Sequence, residues 1–132
     1  MKKLAFLVDD DPGYRQYVKT FLSGLGYELL AFEDGTQFME KLHMNPDVII
    51  LDHQLGKDQE DGLELLRMVK REHPQIPVIY LSGQHDIAPV VQALKLGSIE
   101  YIEKNSGALV KLKAVIEELE SKKKKKGLGG WF

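Results

Sequence analysis

The stretch DVIILD, Asp47 to Asp52, sets four apolar residues between two acids. Nothing in it alternates between polar and apolar, so both faces of a strand here must be covered. That is the pattern of a parallel sheet with helices packed on each side. The spacing predicts a buried strand over 47–51 that delivers the carboxylate of Asp52 to its end.

Upstream lies a second strand-like run, LAFLV (4–8), which ends in three acids, Asp9, Asp10 and Asp11. Pro12 then opens a helical stripe of Tyr14, Tyr17, Val18, Phe21, Leu22 and Leu25, closed by Gly24 and Gly26. YELLAF (27–32) is the next strand. Asp34 can cap a helix that turns Phe38, Met39 and Leu42 inward and stops before Asn45-Pro46.

Downstream, the polar loop HQLGKDQED leads to Gly62, and Leu63, Leu65, Leu66 and Val69 mark a third helix ending near His73-Pro74. IPVIYL (76–81) is the fourth strand, ending at Ser82-Gly83. Ile87, Val90, Val91, Leu94 and Leu96 line a fourth helix that ends at Gly97. IEYIE (99–103) is a short fifth strand ending at Lys104. From Ser106 the stripe Leu109, Leu112, Val115, Ile116, Leu119 forms a last helix that runs into the lysines. Five βα units in succession with short connections predict an α/β fold, a five-stranded parallel sheet with helices on both faces.

Composition is consistent with one domain. The 132 residues, 43% hydrophobic and 29% charged, suffice for a single core. No cysteine is present, which excludes disulfides and thiolate metal sites. No apolar run approaches the ~20 residues of a membrane-spanning helix, and the cytoplasm is the expected compartment. Charge is uneven: Lys122 to Lys126 carry +5 out of a net −2, leaving residues 1–121 at −7. An acidic body argues against nucleic-acid binding by the domain itself. Residues 1–121 are expected to form the domain and 122–132 a flexible, Lys-rich tail. A minority reading of that tail is contact with an anionic surface through its lysines, Trp131 and Phe132.

In open parallel sheets ligands bind outside the carboxyl ends of the strands. Those ends carry Asp9-Asp10-Asp11, Asp52, Ser82-Gly83 and Lys104. If the strand order is 2-1-3-4-5, an order borrowed from known flavodoxin-like sheets and not read from these residues, all four ends meet in one cleft. Like charges a few ångströms apart repel, so such a cleft needs a compensating cation.

Five segments occur in order on the matching elements: LVDDDP, DVIILD, DGLELL, LSG and GSIEYIEK. Over roughly residues 2–121 the chain resembles a response-regulator receiver domain of two-component signalling, of the stand-alone, chemotaxis-regulator-like type. The resemblance implies a flavodoxin-like (βα)5 receiver fold. It also implies that Asp52 is the phosphoacceptor, assisted by Ser82 and Lys104. Mg²⁺ would be held by Asp9, Asp10, Asp52 and the backbone carbonyl of Gln54. An all-oxygen, anionic set suits that hard dication. A carboxylate can form the acyl phosphate, while a lysine and a hydroxyl stabilise charge on the transferred group. Asp11, next to Pro12, is better placed to cap the first helix.

The phosphodonor implied is a histidine kinase or a histidine phosphotransfer protein. Ser82 and Tyr101 occupy the family's switch positions, with output to an unknown downstream protein. The partner face, and a candidate homodimer face, would be the fourth helix, fifth strand and fifth helix. Such a domain catalyses its own phosphorylation and dephosphorylation and turns over no external substrate.

Three departures stand out. The run HQLGKDQED lacks the family's proline and is about two residues longer than usual. Lys104 is followed by Asn105 where the family has proline after a cis bond, and a cis bond before a non-proline residue costs about 2.5–4 kcal/mol. Gln54 and Gln84 occupy positions that tune acyl-phosphate lifetime. Two competing readings remain: a pseudo-receiver that binds partners without phosphate, and a phosphatase of the haloacid dehalogenase type. The latter wants an acid two residues after the nucleophile, where this chain has Gln54. His43, His53, His73 and His85 show no metal spacing, and His53 reads as a loop histidine.

Overall fold

The computed structural model describes residues 3–53, 62–83 and 87–129, the side chains of 87–90 and 124–129 excepted. In chain order the elements are β1 (Lys3–Val8), α1 (Pro12–Ser23), β2 (Tyr27–Phe32), α2 (Gly35–Lys41), β3 (Val48–Asp52), α3 (Gly62–Glu72), β4 (Val78–Ser82), α4 (Ile87–Lys95), β5 (Glu100–Glu103) and α5 (Ala108–Gly129). A short 3₁₀ turn, Leu42–Met44, follows α2. All strand pairs are parallel, and the order is β2-β1-β3-β4-β5, as the resemblance implied.

Alternation along each strand divides the core. Ala5, Leu7, Val48, Ile50, Ile79 and Leu81 point to the side of α1 and α5, where they pack with Val18, Leu22, Leu112 and Ile116. Phe6, Val8, Ile49, Leu51, Val78 and Tyr80 point to the other side, against Phe38, Leu65, Leu66, Val69 and Ala93 of α2, α3 and α4. Every residue of β3 is therefore buried, at a gain of about 1.5–3 kcal/mol for each large apolar side chain.

The helix starts are chemically specified. Asp11 Oδ1 accepts from the backbone N–H of Gly13 at 2.9 Å and of Tyr14 at 3.3 Å, as expected of its position before Pro12. Asp34 Oδ1 accepts from Gln37 N at 2.9 Å. α4 stops where Ser98 N donates to Ala93 O and Gly97 N to Leu94 O. That pairing needs a left-handed residue at Gly97, whose φ is +104°.

The apolar face expected on α4 needs correction. Val91 and Leu94 are 42% and 50% exposed, and among the described side chains of the helix Ala93 is the buried one. IAPVVQALK is apolar almost all round, so its composition did not specify which side faces the sheet. The side chains of Ile87 and Val90 lie outside the described residues. Ile99, read as part of the fifth strand, precedes β5 and is 42% exposed. Tyr17, read as part of the α1 stripe, is 60% exposed.

α5 carries on through the lysines to Gly129. Its far part overlies the start of the sheet: Tyr27 Oη donates to Glu120 at 3.1 Å, Lys3 pairs with Glu120 at 2.7 Å, and Lys123 pairs with Asp47 at 3.2 Å. No helix among the described residues is long and apolar enough to cross a membrane.

Candidate phosphoacceptor and metal site

β1 and β3 are neighbours, with Val8 beside Leu51, so the residues that follow or end them come out side by side. Asp9 is held on every side. Its N–H donates to Phe32 O at 3.0 Å, and its carbonyl accepts from Arg15 Nη1 at 2.8 Å. Its Oδ1 accepts from Asp11 N at 2.9 Å. The side chain is fully buried. Asp52, the last residue of β3, has a side chain only 7% exposed. Asp10 faces solvent. One carboxylate oxygen from each of Asp9, Asp10 and Asp52 lies within 4.8 Å of the others.

The compensating cation inside the protein is Lys104, at the end of β5. Its Nζ donates to Asp9 Oδ2 at 2.7 Å and to Asp52 Oδ2 at 3.1 Å. Burial pulls the Lys104 ammonium toward deprotonation. The hydrogen bond that the ammonium donates to Asp9 and the charges of Asp52 and Asp9 outweigh that, and its pKa lies above the ordinary value. The peptide into Asn105 is trans, since no cis bond occurs among the described residues. Lys104 reaches both acids without the family's cis-proline, helped by its own N–H bonding Ser82 O at 2.8 Å.

Three carboxylates and one ammonium leave the cluster at −2. An all-oxygen donor set with one exposed member, Asp10, fits a hard dication such as Mg²⁺. Asp9, Asp10 and Asp52 are thus brought together with Lys104. Gln54, named as the source of a fourth, backbone ligand, lies outside the described residues, as do Gln84 and the rest of the loop 54–61.

Ser82 ends β4 one residue beyond Leu81, the register partner of Asp52, and is buried. Tyr101 sits on β5 opposite Tyr80, half-buried in the core on the α4 side, with ring centroids 6.2 Å apart. It packs against the core cluster that holds Phe38, Leu65 and Tyr80.

Three neighbours were not read from sequence. The ring of Tyr14, in the first turn of α1, lies 4.4 Å from Lys104 Nζ. Burial raises the Tyr14 hydroxyl pKa above its ordinary value, with the Lys104 charge pulling the other way. His53, read as a loop histidine, has its Nδ1 hydrogen-bonded to the hydroxyl of Tyr80. The one signal was Tyr80 itself, a hydroxyl in an otherwise apolar strand that needs a partner when buried. Gly62 opens α3 directly over the acceptor strand. A Cβ there would lie 2.2 Å from the carbonyl oxygen of Asp52.

Comparison with known proteins agrees with this geometry. Residues 5–117 match the family described as the response regulator receiver domain. The chain is 37% identical over 99 residues to the nitrogen assimilation regulatory protein NtrX of Azorhizobium caulinodans, covering 74% of this chain and 22% of that protein. It is 33% identical over 102 residues to the DNA-binding transcriptional regulator NtrC of Escherichia coli K12, covering 76% and 21%. It thus spans about a fifth of the length of these curated relatives. Among solved structures, the receiver domain of NtrX from Brucella abortus superposes with a TM-score of 0.80 at 31% identity, covering 87% of this chain and 96% of that one. A CheY-like receiver domain protein from Methanospirillum hungatei gives 0.82 at 25% identity, covering 95% and 99%.

Proposed function

Since the chain belongs to the response-regulator receiver family, we propose that it is a phosphorylation switch whose acceptor is Asp52. The observation that carries this reading is the buried Asp9–Lys104–Asp52 bridge with exposed Asp10 beside it, at the ends of adjacent parallel strands. A carboxylate oxygen of Asp52 attacks the donor phosphorus. A new O–P bond forms, and the bond to the donor, the imidazole nitrogen of a phosphohistidine or the carboxylate of acetyl phosphate, breaks with its electron pair. Water later attacks the same phosphorus and returns Asp52 and inorganic phosphate.

Each residue has a physical task. Asp9 and Asp10, with Asp52, would hold Mg²⁺, which when bound neutralises the carboxylates and takes up donor phosphate oxygens. Lys104 offers a compact cation to an equatorial phosphoryl oxygen once it leaves Asp52 Oδ2. Ser82, at the neighbouring strand end, supplies a hydroxyl for another. Arg15 and Asp11 keep the Asp9 main chain and side chain in place. Tyr101 would change its packing against Tyr80 as Ser82 moves, biasing a bistable element.

Histidine kinases or phosphotransfer proteins are the proposed donors, and the cytoplasm is the proposed compartment. Output would be protein–protein contact through α4, β5 and α5, where Val91, Leu94 and Ile99 are exposed and apolar. The same face would serve a homodimer. Action as a single-domain regulator, with 122–132 as a tail appended to a 1–121 receiver, is part of this proposal.

The test is intact mass after incubation with Mg²⁺ and acetyl phosphate, wild type beside Asp52→Asn. A single phosphoryl adduct on the wild type only, abolished by EDTA, is expected. An adduct that persists on Asp52→Asn would refute the assignment. No adduct on either would favour the phosphate-independent binding module.

A further inference from the structure

Lys104 must do two things in a phosphorylation switch: stay in the pocket, and exchange one partner for another. An ammonium has three N–H donors and no acceptor. Two of its directions go to Asp9 Oδ2 and Asp52 Oδ2. On a further side stands the ring of Tyr14, its centroid 4.4 Å from Nζ, inside the ~6 Å reach of a cation–π contact.

That ring is itself held. Its residue lies in the first turn of α1 with its N–H on Asp11 Oδ1. The ring stands edge-on to Tyr17 at 6.3 Å and is packed at the margin of the core on the α1–α5 side. Core packing alone would be served by any large apolar residue, and only an aromatic face attracts the ammonium.

We propose that Tyr14 is a positioning residue for Lys104. Its ring keeps the ammonium desolvated and within the pocket while leaving it free to slide from Asp52 Oδ2 to a phosphoryl oxygen. A π face suits this because it binds a cation over an area and offers no single acceptor that would have to be broken. A carboxylate at the same place would compete with the incoming phosphoryl group, and an aliphatic side chain would let the lysine swing into water. The inference rests on the switch reading for its kinetic consequence, but its geometric half does not.

Two measurements on the full chain separate those halves. In NMR spectra of the unphosphorylated protein, the ε-methylene protons of Lys104 should be shifted upfield by the Tyr14 ring. The shift should persist in Tyr14→Phe and vanish in Tyr14→Leu. With acetyl phosphate and Mg²⁺, Tyr14→Leu should take up phosphate about 3- to 10-fold more slowly at saturating donor, the range a contact of this strength can change. Tyr14→Phe should recover most of that loss. An unshifted Lys104 in the wild type overturns the inference, whatever the folding of the variants. So does a Tyr14→Leu protein that is phosphorylated at the wild-type rate, or a Tyr14→Phe protein as slow as Tyr14→Leu. If the wild type takes up no phosphate, the switch and the kinetic role of Tyr14 fall together. An upfield-shifted Lys104 in that same sample would then show that the contact exists without the switch.

Discussion

Replacing Lys104 by methionine removes the ammonium that bridges Asp9 and Asp52, and leaves two buried carboxylates facing each other. The side chains concerned are 19% exposed for Lys104, 0% for Asp9 and 7% for Asp52. Little water is available to screen them. Deleting one partner of a buried ion pair costs about 3–5 kcal/mol, and methionine returns only part of that through the apolar contact of its chain. For a domain of this size about 3–5 °C of melting temperature corresponds to each kcal/mol. The variant should therefore melt about 10–20 °C lower in EDTA. The cluster also changes from −2 to −3, so a dication should stabilise the variant more than the wild type. The assay is thermal unfolding followed by circular dichroism, with urea unfolding beside it, each protein with EDTA and with Mg²⁺. A variant as stable as wild type in EDTA, with no enhanced response to Mg²⁺, would refute the claim that Lys104 offsets a buried carboxylate pair.

Three further outcomes follow from the same geometry. Gly62→Ala drives a methyl onto the Asp52 carbonyl, so α3 must shift; about 1–3 kcal/mol of stability should be lost, read from the urea midpoint, and phosphorylation should slow. Tyr80→Phe removes the hydroxyl bonded to His53 Nδ1 and should cost about 0.5–1.5 kcal/mol, with the His53 ring resonances moving in NMR spectra. Because the folded protein holds the Lys104 pKa above its ordinary value, its contribution is fully present below about pH 10.5 and is lost as pH rises through the higher, folded value. The stability gap between wild type and Lys104→Met should stay constant up to about pH 10 and close above it.

Local pattern carried most of the fold. YELLAF and the observed β2 coincide, and VIIL is buried throughout because an unbroken apolar run has no other use in a parallel sheet. Asp11 was legible as a cap because Pro12 follows it. α4 was not, since a helix apolar on nearly every side carries no polar stripe to orient it. The acids and Lys104 could be seen at strand ends, and the family resemblance implied that they act together, but the direct pairing of Lys104 with Asp9, 95 residues away, was not read from the sequence. Contacts such as Tyr14 with Lys104 and His53 with Tyr80 join distant positions through the sheet, and no local rule encodes them. Gly62 shows the same limit: a glycine before a helix could serve a turn, and only the approach to Asp52 reveals a missing side chain as its purpose.

The lysine-bearing end of α5 lies over the starting edge of the sheet, as its contacts with Tyr27, Lys3 and Asp47 show, while the acids sit at the opposite edge. A strand of five or six residues separates the two edges by about 17–20 Å. At that end Lys122 and Lys123 pair with Glu118 and Asp47, while the acid cluster at the other edge keeps a net −2, so charge is unevenly spread along the strand direction. A positively charged donor surface would turn it pocket-first as the two approach, before any contact forms. At physiological ionic strength that torque acts over about 8 Å. Encounter rates with such a donor should therefore fall as salt rises, while the chemistry within the assembled complex stays the same.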